Sequence, residues 1–312
     1  MNNIVDENNV PSFNLKGQQI YAQTIATEHE LIKEEMEIKA FNISIKEDEI
    51  HKFYRLPKYY DMAFSRDVDG DIKFFQKCFQ LYSDVTVKRI LEPACGTGIL
   101  IESFPKFGYY ALGYDLSPDM IEYTKERLIN AGIFHDKADV LLGDMKNLEF
   151  DSKFDAAVVC INSLGYLTCD EDITSHFKVM GKSLKNGGIY IVELSCKCED
   201  IRNEIKTDDK WFAKENGIYI ELSWVINRYD VQSKIRHVDF QMIVNENGNQ
   251  LVVDEVHKLR LWLFDDLILF ASRGGFQYIG AYNQEYKPIT ESTPITGELG
   301  GLFFIFKNIK NI

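Results

Sequence analysis

The chain has 312 residues, 45% hydrophobic and 27% charged, the balance of a globular protein long enough to bury a core without staples. Its 48 acidic residues outnumber 35 basic ones, for a net charge of −13; this field repels a phosphate backbone, and the lysines are scattered among Glu and Asp, so nucleic acid is not expected as a partner. No apolar run approaches the ~20 residues that span a bilayer, so no membrane association is expected.

Residues 1–20, beginning MNNIVDENNV, read as a loose polar leader without secretory character. From Ile25 to Phe41, apolar Leu31, Ile32, Met36 and Ile38 recur at helical spacing and predict an amphipathic helix with a charged outer face. FYRLPKYYDMAF follows, aromatic and interrupted by Pro57, and a helix is predicted over Ile72–Tyr82. The next stretch alternates short apolar runs with helical patterns. VKRILEPA, YYALGYDL, ADVLLGDM, FDAAVVCI and GGIYIVELS read as strands; helices fall at Gly98–Phe107, at Pro118–Ala131 and through HFKVMGKSL. This rhythm predicts an α/β fold, a parallel sheet with helices on both faces and right-handed crossovers.

After Cys198 the rhythm changes. GIYIELSWVINRYD, KIRHVDFQMIVNE and QLVVDEVHKLRLWLF are strand-like runs separated by polar turns, one of them Asn247-Gly248, and predict a three-stranded antiparallel insertion over about residues 215–264. A helix is expected at Asp265–Arg273, stopped by Gly274-Gly275, followed by two last strands, FQYIGAYN and GLFFIFKN. The organisation read from this is an N-terminal extension (1–50), a core (51–198), the β insertion (199–264) and a C-terminal return to the core (265–312).

The six cysteines, Cys78, Cys95, Cys160, Cys169, Cys196 and Cys198, read as thiols of a reducing, cytoplasmic compartment. Cys196 and Cys198 would share a strand face, but no Cys/His set completes a metal site around them.

Chemistry concentrates at three strand ends. Ile90-Leu91-Glu92-Pro93-Ala94-Cys95-Gly96-Thr97-Gly98 carries an apolar strand into a glycine turn and straight into a helix, so backbone can approach a ligand closely and the helix start offers free N–H groups. Ile101 stands where a dinucleotide fingerprint has its third glycine. Asp115 ends the strand LGYD, where a carboxylate can accept from a ribose diol; a helix cap towards Ser117-Pro118 is its other reading. Gly143-Asp144-Met145 ends another strand, with a carboxylate placed for an adenine amino group and a thioether to pack on the ring, or alternatively a solvated loop acid. Open α/β sheets bind ligands at such carboxyl ends.

Taken together, E-x-A-x-G-x-G, the acid after the second strand and G-D-M after the third resemble the class I S-adenosylmethionine-dependent methyltransferases, over roughly residues 54–195 and more loosely 256–308. The resemblance implies a Rossmann-like methyltransferase sheet and S-adenosyl-L-methionine as cofactor. It implies a cofactor site of Tyr60, Glu92, Ala94, Gly96, Thr97, Gly98, Asp115, Leu116, Met120, Gly143, Asp144, Met145 and Cys160. Tyr60-Asp61, CINSLGYL at Cys160–Leu167 and the inserted sheet look like small-molecule N-methyltransferases, in particular the nucleotide-linked amino-sugar N,N-dimethyltransferases and, more distantly, glycine N-methyltransferase. In such enzymes N-terminal tyrosines close over the cofactor and the insertion walls the acceptor pocket or helps build a homodimer. The likeness puts Tyr54 and Tyr166 near the acceptor nitrogen, Tyr166 standing where the sugar enzymes have a histidine, and SRDVDGDI replaces their basic glycine-rich segment.

Methyl transfer is an in-line displacement on an already activated donor, so alignment in a dry aromatic pocket is the protein's main task. A neutral amine needs only a weak base to take its proton, and Tyr54, Tyr166 or His257 can serve; an oxygen acceptor needs a firmer base, and no His/carboxylate dyad is evident near the pocket. Alternation would place His257, Leu259 and Leu261 on one strand face and Lys258, Arg260 and Trp262 on the other. His257 reads as structural or catalytic; Lys258 and Arg260 as a solvated face or a grip for an anion; Trp211, Trp224 and Trp262 as pocket lining or dimer contact. The expected function is methyl transfer to an amine of a small molecule. The alternatives are an oxygen or carbon acceptor, a protein or RNA substrate, and a non-catalytic cofactor-binding subunit.

Overall fold

The computed structural model describes residues 38–39, 50–150, 153–197, 208–290 and 298–309. The predicted leader, residue Cys198 and most of the helix expected over 25–41 lie outside these. Within that helix, Ile38–Lys39 (β1) is instead a short strand, antiparallel to Glu149–Phe150 (β5).

The core elements follow the sequence rhythm. Asp69–Tyr82 (α2) precedes Arg89–Pro93 (β2), Ile99–Ser103 (α3), Tyr110–Asp115 (β3), Pro118–Asn130 (α4), Ala138–Leu142 (β4), Phe154–Val159 (β6), Asp170–Ser183 (α5) and Leu184–Lys197 (β7). The helix expected at Gly98–Phe107 is α-helical only to Ser103 and tightens into a 3-10 turn at Phe104–Phe107, where Pro105 has no N–H for an α bond. After the insertion come Trp262–Leu263 (β12), Phe264–Arg273 (α6), Phe276–Asn283 (β13) and Glu298–Asn308 (β14). The main sheet runs β13-β14-β7-β6-β2-β3-β4, with β12 paired to the end of β7. β4, β3, β2, β6 and β7 are mutually parallel; β14 is antiparallel to β7 and to β13.

Side-chain alternation explains the two covering layers. Ile90, Ala156, Val158, Ile189 and Ile191 enter one core with Phe75 of α2, Ile101 of α3 and Leu128 of α4. Their neighbours Leu91, Ala157, Val159, Tyr190 and Val192 enter the other with Phe177 and Met180 of α5 and Leu267 and Phe270 of α6. Strands apolar on both faces suit a parallel sheet buried between helices.

The insertion leaves after β7 and returns at β12 beside it. Four strands, not the three expected, form it: Asp208–Glu215 (β8), Ile218–Asp230 (β9), Ile235–Glu246 (β10) and Asn249–Arg260 (β11), in order β11-β10-β9-β8 and all antiparallel. Two hairpins turn on Asn216-Gly217 and Asn247-Gly248, all four residues at positive φ as a tight two-residue turn requires. Ile218, Ile220 and Leu222 of β9 and Phe240, Met242 and Val244 of β10 form a third core with Phe53. FYRLPKYYDMAF lies over this core as a 3-10 turn at Lys52–Arg55 and a helix, Pro57–Phe64 (α1). Pro57 begins that helix rather than interrupting the segment, since the first helical N–H needs no partner.

Candidate functional site

The ends of β2, β3 and β4 are tied to one another by hydrogen bonds. The Cys95 N–H donates to the Tyr114 carbonyl (3.1 Å), the Gly96 N–H to Asp115 Oδ2 (2.9 Å) and the Gly143 N–H to the Asp115 carbonyl (2.9 Å). The turn after β2 places Ala94, Gly96 and Gly98 at positive φ. A Cβ on Gly98 would stand 2.3 Å from Cγ2 of Thr124, so α4 can approach the loop only over a glycine. Thr97 is buried, its hydroxyl donating to Asp61 Oδ1 (2.8 Å), while Asp61 Oδ2 receives Arg127 (2.5 Å) and Tyr123 (3.1 Å). Through Asp61, α1 is fastened across the glycine turn, and Tyr60 lies 3.8 Å from where a Gly96 Cβ would be.

Asp115 is held at full stretch. Burial pushes its carboxyl up, opposed by backbone N–H donors from Ser117, Gly96 and Leu116. The cap of α4 is Ser117, whose hydroxyl accepts the Met120 N–H (3.3 Å) and donates to the Tyr54 carbonyl (2.7 Å). Met120 itself is fully buried in the helix face. Glu92 is buried with Oε2 lacking a hydrogen-bond partner, and burial, then the Asp115 charge, pushes its carboxyl well up. An orphaned carboxylate oxygen beside a glycine cradle fits a cationic, amine-bearing ligand. Asp144 accepts the Lys146 N–H (2.9 Å), with Lys146 Nζ 3.4 Å from its other oxygen. Met145 packs against the core and its carbonyl meets His176 Nδ1 (2.9 Å). Cys160 directly follows β6, buried, its thiol pushed well up by burial.

Tyr54, Tyr166 and His257 come from three separate segments and meet. The Tyr54 and Tyr166 hydroxyls are 2.5 Å apart, and the Tyr166 hydroxyl is 2.7 Å from His257 Nδ1. Tyr166 ends the 3-10 turn Ser163–Tyr166 behind β6; His257 is wholly buried on β11, beside the Trp224 and Phe240 rings (5.1 and 5.3 Å between centroids). Burial pushes both tyrosine hydroxyls well up, so they remain protonated. Burial also lowers His257, with a partial offset from Glu255.

The expectation that no His/carboxylate dyad lies near the pocket is overturned: His257 Nε2 sits 3.0 Å from Glu255 Oε1. Glu255 was not anticipated from the sequence, although two residues apart on a strand share a face. Glu255 also accepts the backbone N–H groups of Lys52 (2.8 Å) and Phe53 (3.2 Å), anchoring the turn that carries Tyr54. Lys258 is exposed, whereas Arg260 is buried, bonded to Asp170 (2.6 Å) and stacked over Trp262, so an anion grip by this pair does not form. Trp262 belongs to the main core, while Trp211 and Trp224 border the insertion core.

Among the described residues, His51, Glu255 and His257 bring potential metal-ligand atoms within 4.8 Å of one another. The two imidazoles are stacked, 3.8 Å between centroids and 12° between planes, so they cannot both aim an in-plane lone pair at one ion. No helix among the described residues is long and apolar enough to cross a membrane.

Comparison with known proteins adds to this geometry. Residues 90–188 match the methyltransferase domain family. YqeM of Bacillus subtilis, which carries the name of a methyltransferase, is 33% identical over 195 residues, 61% of this chain and 73% of its own length. The dTDP-3-amino-3,4,6-trideoxy-alpha-D-glucopyranose N,N-dimethyltransferase of Streptomyces venezuelae is 35% identical over 105 residues, 33% of this chain and 41% of that protein. An S-adenosylmethionine-dependent methyltransferase of Clostridium acetobutylicum shares the fold with a TM-score of 0.65 at 19% identity, covering 82% of this chain and 99% of the other.

Proposed function

Since the chain belongs to the class I S-adenosylmethionine-dependent methyltransferases, we propose that it methylates an amine nitrogen of a small molecule, with Tyr54, Tyr166 and His257 on the acceptor side. The observation that carries this reading is the buried Tyr54–Tyr166–His257 chain, which ends beside Tyr60 over the glycine turn (Tyr54–Tyr60 centroids 5.8 Å). The Streptomyces relative, whose name describes dimethylation of an amino sugar, supports nitrogen as the acceptor. The net charge of −13 speaks for a small acceptor over nucleic acid.

The residues at the strand tips suit the donor. Gly96 and Gly98 leave backbone bare for close approach, Asp115 offers remaining lone pairs to a ribose diol, Asp144 stands for the adenine edge, and Glu92 Oε2 awaits the amino group. When bound, S-adenosylmethionine supplies a methyl group on a sulfonium centre, already activated for displacement. Tyr54, Tyr60, Phe53 and Phe64 form an aromatic enclosure that excludes water and tolerates the cation. The β8–β11 sheet, through Phe240, Trp224 and His257, serves as the far wall of the acceptor pocket.

A second reading, transfer to oxygen, is favoured by one observation: Glu255 completes the His/carboxylate pair that a hydroxyl acceptor calls for, 3.0 Å from His257 Nε2. Mass analysis after incubation with methyl-labelled donor separates the two, using a panel of primary amines that includes the dTDP-linked amino sugar, each beside its hydroxyl analogue. Label in amines alone supports the amine assignment; label in the hydroxyl analogues alone overturns it.

A further inference from the structure

We infer that Glu255 is a positioning residue that sets the direction of the Tyr54–Tyr166–His257 hydrogen-bond chain, making it a one-way path that carries the acceptor's surplus proton from the pocket to His257. The inference rests on the amine reading above.

The direction follows from counting protons. Glu255 receives two backbone N–H donors, on Oε2 and Oε1, in addition to His257. Burial acts to raise its carboxyl, but the hydrogen bonds and charges of His257 and His51 outweigh this and hold it well below the usual carboxylate range. An ionised carboxylate can only accept, so the facing His257 Nε2 must carry a hydrogen. In a neutral imidazole the other nitrogen, Nδ1, is then a bare acceptor and must take the Tyr166 O–H. Tyr166 has one proton and has now used it, so across the 2.5 Å contact Tyr54 is the donor. Tyr54 has likewise used its proton, and its oxygen is left with lone pairs only. Thus a carboxylate on β11 determines that the hydroxyl at the open end of the chain accepts rather than donates.

That polarity matches what a methylated amine leaves behind. A nitrogen that has gained a methyl group carries one proton too many. The N–H proton passes to the Tyr54 oxygen as the Tyr54 proton passes to Tyr166 and the Tyr166 proton to His257 Nδ1. One proton enters and one arrives, both tyrosines stay neutral, and the ring ends as imidazolium against the Glu255 carboxylate. His51, stacked on His257 and 27% exposed with Nδ1 3.7 Å from Glu255 Oε2, marks the side from which the proton reaches solvent. The titratable groups facing His257 are Glu255 on its own strand, His51 and Tyr54 of the 51–55 segment, and Tyr166; β9 and β10 contribute only the Trp224 and Phe240 rings.

Two measurements test this. Nitrogen-15 NMR of the His257 ring in the wild-type protein needs no acceptor and should report the Nε2–H tautomer; an Nδ1–H tautomer overturns the inference. Glu255→Gln is close to isosteric and keeps one acceptor for the backbone donors. With the amine of highest turnover in the panel above, kcat should fall about 10- to 100-fold, and the acid limb of the kcat–pH profile should move to lower pH, because imidazolium loses its counter-charge. A loss of turnover with the limb unmoved, or unchanged turnover, contradicts the relay. If wild-type protein labels only hydroxyl analogues, the amine reading fails first, and the tautomer measurement still judges the direction of the chain.

Discussion

Asp115, proposed above as the ribose acceptor, also ties the glycine turn to the start of α4. The Gly96 N–H donates to Oδ2 and the Ser117 N–H to Oδ1, and the Leu116 N–H adds a third backbone donor, so the four lone-pair positions of the carboxylate are not exhausted. If Asp115 accepts from the ribose diol as proposed, Asp115→Ala should weaken S-adenosylmethionine binding by about 2–4 kcal/mol; calorimetry with unchanged affinity would refute the assignment. Tyr166 should behave differently. Tyr166→Phe removes the middle hydroxyl between Tyr54 and His257 without touching the glycine turn, so turnover should drop at least about tenfold while donor affinity stays put. Equal losses in both would move Tyr166 out of the acceptor pocket.

At the scale of elements, the tightest constraint is the approach of α4 to the turn between β2 and α3. Gly98 lies at φ +76, and a methyl group there meets Thr124 at 2.3 Å. Gly98→Ala should cost about 1–3 kcal/mol in a denaturant melt and widen the turn; a melt identical to wild type would show that α4 yields freely. How far the sequence discloses such elements depends on how local the signal is. Strands of the main sheet announce themselves because both faces are apolar, and the glycine turn and strand-end acids stand in short contiguous motifs. β8 escapes notice because DDKWFAKE is mostly solvated, with only Trp211 and Ala213 turned inward. Yet Asn216-Gly217 is a hairpin dipeptide and demands a strand before it. The Glu255–His257 pair is legible in principle from its i, i+2 spacing, but not what gives it meaning. Tyr166 and the 51–55 segment reach it only through tertiary folding, across 91 residues and about 200 residues of chain respectively.

For the whole molecule, a buried polar bridge inside the main core makes stability respond to pH. His176 of α5 bridges the Met145 carbonyl and the Tyr190 hydroxyl, and burial, against the Met145 bond, pushes its pKa down to about 4. Its folded pKa lies below the unfolded value of 6.5, so between these limits the unfolded chain binds the extra proton. Stability is therefore full above pH 6.5 and falls as pH drops towards 4, by about 3 kcal/mol from this group. Urea titrations across that window should show a shallower decline in His176→Gln than in wild type; parallel curves would remove His176 from the acid response.

In the proposed donor site the tips of β2, β3 and β4 converge on one adenosyl ligand. Isothermal calorimetry of the purified chain with S-adenosylmethionine, and separately with its demethylated product, tests this most directly. Saturable binding of one ligand per chain, weakened by Asp115→Ala, is the predicted result. Failure to take up either compound would contradict it.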